Sequence, residues 1–294
     1  MANGDDTGGE QRSSEEIRTA LIERETGLKV VQYAVVDGLA IFEGDIILGT
    51  VEEVEQATAQ VRAAGEVRAE ADVTTEAVVI TGNHRWANCQ VPFKIDPALP
   101  NPQRVTDAIA HWQQHTNYRF IARTTEKDFV TFTSGNGCSS TVGRQGGQQF
   151  VNLGTGCSTG NAIHEIGHTI GLWHEQSRQD RDLFVRIQWQ NVEAGKEHNF
   201  NQHITDGDDV GPYDYGSIMH YDRKAFSKNG QDTIVPATPA SIGQRTTLSA
   251  GDIAAANSLC APAQQVRKPP RRHAVAHHLG GGDADPGNEG DATG

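Results

Sequence analysis

Between Ala162 and Arg178 the chain reads Ala-Ile-His-Glu-Ile-Gly-His-Thr-Ile-Gly-Leu-Trp-His-Glu-Gln-Ser-Arg, with histidines at His164, His168 and His174 and a glutamate, Glu165, beside the first. On a helix of 3.6 residues per turn, positions i and i+4 share a face, so the imidazoles of His164 and His168 can reach one ion. His174 lies too far along for that face if the helix runs on. Gly171 can take a positive φ, end the helix and turn the chain back, which delivers the third imidazole. Three neutral imidazoles suit zinc, and a three-ligand site keeps a position open for water, as catalytic rather than structural zinc requires. Glu165 is placed as the base that takes a proton from that water and later passes it to a leaving amine. The chemistry implied is amide hydrolysis. A bare His-Glu-x-x-His also recurs by chance on helices whose histidines only pack or face solvent. The longer His-Glu-x-x-His-x-x-Gly-x-x-His favours the metal.

With Glu175 after its last histidine, and Ser217-Ile218-Met219-His220-Tyr221 further on, this motif resembles the astacin family of metzincin endopeptidases. The resemblance implies an α+β, zincin-like fold, in which a twisted mixed sheet and an active-site helix lie above an irregular lower subdomain. It also implies one catalytic zinc ion, a Met-turn at Met219 flooring the metal, and Tyr221 as a further zinc ligand that can swing away to steady the tetrahedral intermediate. A phenol hydroxyl is chemically able to do either.

The elements around the motif follow from local signals. Val91 to Ile95, Tyr118 to Ala122 and Asp128 to Thr133 read as strands. Asn101-Pro102 starts a helix, with asparagine as N-cap and proline at N1, and Val105, Ile109 and Trp112 line one face of it. His111 and His115 on that helix lack a third ligand and are read as packing or surface residues. Gln149-Phe150-Val151-Asn152-Leu153 is a further strand. In the family it resembles, the corresponding strand is a free sheet edge to which an extended peptide pairs antiparallel, with backbone bonds giving affinity and pockets giving preference. The expected partners are therefore protein or peptide substrates. Arg178, Asp180, Arg181 and Asp182 read as a structural charge cluster, and Asp206 to Asp209 as a solvated turn that lacks the spacing of a calcium loop. Arg245 is read as exposed; the alternative is a pocket residue favouring acidic side chains. Ser249 caps a last helix ending near Cys260.

Upstream, residues 1 to 13 are polar, glycine-rich and acidic and are expected to be disordered. Ser13 or Ser14 caps a short expected helix in which Glu16, Ile17, Ala20 and Leu21 recur at helical spacing. Residues 29 to 49 read as two extended pieces broken at Asp37-Gly38, and Val51 to Ala64 as an amphipathic helix, with little core of their own. Phe42-Glu43-Gly44-Asp45-Ile46 resembles the Phe-x-Gly-Asp segment of astacin pro-peptides, whose aspartate occupies the zinc position that water later takes. This makes residues 1–80 a pro-segment acting as the enzyme's own inhibitor through Asp45, residues 81–261 the catalytic domain, and 262–294 a disordered tail whose histidines have no assigned function. Activation would be a cleavage near Ala77 to Arg85. The resemblance then implies that the new N-terminus folds inward to Glu175.

Composition sets the outer limits. A chain of 294 residues holds one large domain and a smaller one, and no apolar run is long enough to span a membrane. The net charge is −13. Residues 1–83 carry 17 acids and six bases while the remaining 211 carry 21 and 19, so the acidity belongs to the N-terminal segment and no basic stripe offers itself to nucleic acid. A monomer is expected. Cys89, Cys138, Cys157 and Cys260 lack the short paired spacing of a zinc knuckle; as two disulfides they admit three pairings and point to an oxidising compartment. The family resemblance favours Cys138 with Cys157, which leaves Cys89 with Cys260. Astacins commonly carry a cysteine on the first catalytic helix, where this chain has Asn117. Secretion is expected on these grounds, although the N-terminus has neither the basic nor the apolar region of a signal peptide.

Overall fold

Valine, isoleucine and the Asp37-Gly38 turn determine how the N-terminal half folds. The computed structural model describes residues 10–24, 27–64, 84–203 and 207–260. Strand β1 (Ile17–Arg24) pairs antiparallel with β2 (Gly27–Val36), Ile17 opposite Ala34. Asp37 and Gly38, both at positive φ, then reverse the chain into β3 (Leu39–Phe42), and β4 (Ile46–Thr50) completes a four-stranded meander. Helix α1 (Val51–Ala64) opens with a capping box: Thr50 Oγ1 accepts from the Glu53 amide at 3.2 Å and Glu53 Oε2 accepts from the Thr50 amide at 2.9 Å.

Two expectations fail in this half. The helix expected over Glu16 to Leu21 is strand β1. Its apolar residues also fit a period of two, and an eight-residue antiparallel ladder with β2 satisfies the backbone groups that face it, so tertiary pairing outweighs a weak helical pattern. The segment has no separate core: Ala20, Val31, Tyr33, Ala40, Phe42, Ile46 and Val54 belong to the same apolar cluster as Trp112 and Ile166. Of the polar stretch expected to be disordered, residues 1–9 lie outside the described residues, but Glu10 and Arg12 are buried.

The second half supplies β5 (Gln90–Ile95), helix α2 (Gln103–His115), β6 (Arg119–Ala122), β7 (Phe129–Thr133), β8 (Cys138–Ser140), β9 (Gln148–Leu153) and helix α3 (Thr159–Ile170). Beyond α3 come a short antiparallel pair, β10 (Val185–Ile187) with β11 (Ile234–Pro236), and helix α4 (Ala250–Cys260). At the start of α2, Pro102 sits in the cap position without a side-chain bond and Asn101 has φ 50°, so the expected asparagine cap is absent. Strands β1 to β9 lie in one mixed sheet in the order β1-β2-β3-β4-β8-β9-β7-β5-β6. Here β8 is antiparallel to β9, and β4 lies parallel to β8 through Ile46 opposite Ser140 and the Ser140 amide bonded to Asp45 O at 3.0 Å.

The strand at Gln149 to Leu153 is therefore not a free edge. It is held between β7 and β8, and at Val151 and Asn152 its backbone is paired on both sides, which leaves no ladder there for a peptide to join. Val151 and Leu153 are fully buried and Phe150 is exposed; the Gln149 amide is tied to Thr141 Oγ1 and Gly143 O, and Asn152 Nδ2 to Ser139 Oγ. Beneath the sheet Trp112, Tyr118, Phe132, Leu153, Ile166 and Ile170 form the main core, while Phe200, Tyr213, Tyr221, Phe226 and Ile234 make a second cluster in the loop-rich lower part. Disulfides join Cys138 to Cys157 and Cys89 to Cys260. The first ties β8 to the loop before α3, and the second ties the start of this region to its end. Among the described residues no helix is long and apolar enough to cross a membrane.

Candidate active site

Helix α3 is fixed at both ends by its sequence. Ser158 and Asn161 form a capping box, the Ser158 hydroxyl accepting from the Asn161 amide, a device worth about 1 kcal/mol. At the far end Gly171 adopts φ 118°, and its N–H reaches the carbonyls of Gly167 and His168. The chain turns back and His174 comes to face the helix. The ring centroids of His164, His168 and His174 lie 4.7 to 5.4 Å apart, and all three residues are fully buried.

Each imidazole has one nitrogen committed outward. His164 Nδ1 donates to Ile218 O at 2.8 Å, His168 Nδ1 to Leu172 O at 2.7 Å, and His174 Nδ1 to a carboxylate oxygen of Glu43 at 2.9 Å. With a proton on each Nδ1, the three Nε2 lone pairs point inward. They converge on Asp45, whose oxygens lie 3.2 Å from His164 Nε2, 3.5 Å from His168 Nε2 and 3.2 Å from His174 Nε2. His168 Nε2, Asp45 Oδ1 and both oxygens of Glu165 are buried without a hydrogen-bond partner. Buried polar atoms are nearly always satisfied, so several orphans in one place call for a cation and its water. Three imidazoles and one carboxylate are a zinc donor set. The residues present fit that ion.

The electrostatics agree. Burial, then the neighbouring charges of Asp45 and Glu10, push the Glu165 carboxyl well above its ordinary range. Burial works against a protonated His174, but the Asp45 and Glu43 carboxylates outweigh it and raise that imidazole to about 9. A divalent cation held by the three Nε2 atoms would take the place of that proton. Burial also opposes the Glu43 charge, yet His203 and His174 draw the carboxyl down to about 2.

The remaining expected residues fall around this centre. Met219 is 2% exposed, and its turn is bolted to α4, because Asp252 accepts from Ser217 Oγ at 2.6 Å and from the Ile218 amide at 2.9 Å. The same turn presents the Ile218 carbonyl to His164. The Tyr221 ring lies 4.5 Å from that of His174, while its hydroxyl donates to the backbone carbonyl of Glu43. Glu175 accepts from the Asp214 amide at 2.7 Å and faces Arg178, and burial raises its carboxyl to about 8. Gly44, at φ 78°, lets the N-terminal segment into the cleft: a Cβ there would stand 2.9 Å from Glu10 O and from Phe226 Cζ.

Arg245 is not exposed. Its Nε meets Glu10 at 2.8 and 2.6 Å, and Asn161 Nδ2 donates to the same carboxylate at 2.7 Å. Asp209, expected in a solvated turn, is buried beside Arg178, which also grips Asp180. His111 packs, accepting from the Leu248 amide at 3.2 Å. Sequence reasoning missed Glu10, Arg12, Glu43, Ser177, His203 and Asp252. Only Glu43, two residues before Asp45, carried a local signal.

The family model for Astacin, a peptidase family, matches residues 78–260. The chain belongs to the astacin family. It is 45% identical over 176 residues to high choriolytic enzyme 2 of Oryzias latipes, covering 58% of this chain and 63% of that protein. It is 36% identical over 237 residues to Protein SpAN of Strongylocentrotus purpuratus, covering 74% of this chain and 37% of that one. Among solved structures, high choriolytic enzyme 1 of Oryzias latipes, a hatching enzyme zinc-protease, superposes with a TM-score of 0.55 at 38% identity over 60% of this astacin-family chain and 92% of its own. The fold is thus the α+β metzincin type expected, and zinc is the metal the site and the family agree on. The chain spans about a quarter to two thirds of the length of the curated relatives it matches.

Proposed function

We propose that this chain is the latent form of a secreted zinc endopeptidase, with a pro-segment to about residue 80, a catalytic domain to about 261 and a C-terminal tail. The observation that carries the reading is the Asp45 carboxylate lying against three converging imidazole nitrogens. Three imidazoles from one eleven-residue stretch and a carboxylate from more than a hundred residues upstream, all buried, form a donor set that suits a cation.

The activation region near residue 77 and the tail both lie outside the described residues. His164, His168 and His174 would hold a single zinc ion, and Asp45 would be a further ligand while the pro-segment is docked. Zinc supplies Lewis-acid polarisation of a carbonyl and makes a nucleophile of water near neutral pH. Glu165 is the base. Asp45 is one of the charges that raise its carboxyl, so departure of Asp45 lowers its proton affinity and leaves it able to take the proton of the attacking water and carry it to the leaving nitrogen. The Tyr221 hydroxyl, now donating to Glu43 O, is released with the pro-segment and donates instead to the carbonyl oxygen as charge builds on it. Removal of β4 also uncovers β8, the outer strand of the catalytic sheet, for antiparallel pairing with a peptide. The Arg245 and Asn161 site that Glu10 fills suits an acidic substrate side chain. Glu175, with its raised carboxyl, would receive the new N-terminal ammonium and become ionised in doing so. Two disulfides favour an oxidising compartment, and the enzyme is proposed to act as a monomer.

The test is hydrolysis of an unfolded protein by the full chain and by the chain trimmed near residue 80, with Glu165→Ala as control. Activity should appear on trimming and vanish in the control while zinc stays bound. A zinc-loaded protein inactive in every form would leave a binding module, not a protease.

A further inference from the structure

Next to Asp45 the pro-segment carries a second buried carboxylate. Glu43 has φ 45°, is fully buried, and receives three donors: His174 Nδ1 at 2.9 Å, Ser177 Oγ at 3.0 Å and His203 Nε2 at 2.8 Å. Its backbone carbonyl takes the Tyr221 hydroxyl as well. The three imidazoles of the site are therefore not supported alike. His164 and His168 lean on backbone carbonyls of the catalytic domain, Ile218 O and Leu172 O, which stay in place whatever the pro-segment does. His174 leans on an ionised side chain that leaves with it.

We propose that Glu43 is a positioning residue for the metal: while docked it fixes the Nδ1–H tautomer of His174 and strengthens Nε2 as a donor, so the uncut chain holds zinc more tightly than the Asp45 ligand alone explains. The inference rests on the reading of the site as a zinc centre and of residues 1–80 as a pro-segment. A carboxylate accepts more strongly than a carbonyl, and an outer carboxylate on a ligating histidine typically changes metal affinity by about 10- to 100-fold. Release of the pro-segment removes the fourth ligand and this support in one event. The latent chain is then the form in which zinc is loaded and kept, and the trimmed enzyme the form more open to chelators.

Zinc affinity is measured by competition with a chromophoric chelator for uncut wild type, uncut Glu43→Gln and trimmed wild type. Uncut Glu43→Gln should stay latent and bind zinc about 10- to 100-fold more weakly than uncut wild type. Affinity within about twofold of wild type in a chain that is still latent would overturn the proposal. If Glu43→Gln is active without trimming, its pro-segment has come off, and wild type alone decides through the imidazole N–H resonances of the zinc-loaded, nitrogen-15-labelled protein. Trimming removes Asp45 from all three imidazoles but the Nδ1 acceptor from His174 alone, so the His174 Nδ1–H signal should shift well beyond those of His164 and His168; a His174 shift no larger than theirs would overturn the proposal. Failure of uncut wild type to bind zinc at all would instead strike the metal-site reading beneath it.

Discussion

Replacing Glu10 by alanine tests whether the far N-terminal contact contributes to latency, and its size can be worked from the contacts. The carboxylate loses its bonds from Arg245 Nε at 2.8 and 2.6 Å and from Asn161 Nδ2 at 2.7 Å. Removing one partner of a fully buried ion pair costs about 3–5 kcal/mol. Here the Arg245 side chain is 17% exposed and keeps the carbonyls of His220 and Gln244 at 3.0 and 2.9 Å, so its guanidinium is not stranded. A loss of about 2–3 kcal/mol in docking free energy follows, which at about 1.4 kcal/mol per factor of ten raises the open fraction roughly 30- to 150-fold. The readout is the initial rate of peptide hydrolysis by the uncut chain, with mass spectrometry to show that it is still uncut. Arg245→Ala should weaken docking to a similar degree, and the double variant should do little more than either alone, as coupled partners require. A Glu10→Ala leak within threefold of wild type would show that the pair adds nothing to docking. Acid should have the same effect as the mutation. Burial alone would raise the Glu10 carboxyl, but His164 and Arg245 outweigh it and hold it below the ordinary range. A lowered pKa in the docked state means that the contribution is complete above the ordinary glutamate value and is lost as pH falls through the lowered one.

Asp45→Ala should render the uncut chain active, since water can then enter the position the carboxylate holds; persistent latency in a peptide assay would assign the block to Glu10, Glu43 and steric filling. Asp252→Ala strips the acceptors from Ser217 Oγ and the Ile218 amide, two buried donors at about 1–3 kcal/mol each, so thermal unfolding of the trimmed enzyme should drop by roughly 5–20 °C. Zinc should also become easier to chelate, because the Ile218 carbonyl orients His164; an unchanged midpoint would show that the turn does not depend on α4. In the trimmed enzyme, Arg245→Ala should abolish a preference for acidic over amide side chains in paired peptide substrates that differ only as Asp and Asn; equal discrimination by both enzymes would place acid recognition elsewhere.

Much of the centre was legible because it is local. His164, Glu165, His168, Gly171 and His174 fall within eleven residues, and helical periodicity with one left-handed glycine suffices to bring three imidazoles together. The Phe42 to Ile46 signal, the α1 helix and the break at Asp37-Gly38 were legible for the same reason, whereas the second extended piece is two strands, split where Glu43 and Gly44 take positive φ. What the sequence did not settle depended on competition between distant partners. Ile17 to Arg24 can satisfy a helical or an alternating pattern, and only pairing with Gly27 to Val36 chooses the strand. The strand at Gln149 is interior only because Cys138 to Ser140, too short to carry a pattern of its own, adds itself outside. Glu10, Arg12 and Arg245 are ordinary charged residues in polar stretches; Glu10 and Arg245 meet across more than two hundred residues, and Arg12 reaches Ser139, 127 residues on, so no local pattern marks their burial. By itself, the sequence determined which atoms could bind the metal and take the proton. The tertiary structure decided which carboxylates close the site, because burial and opposite charge depend on neighbours that no local spacing records.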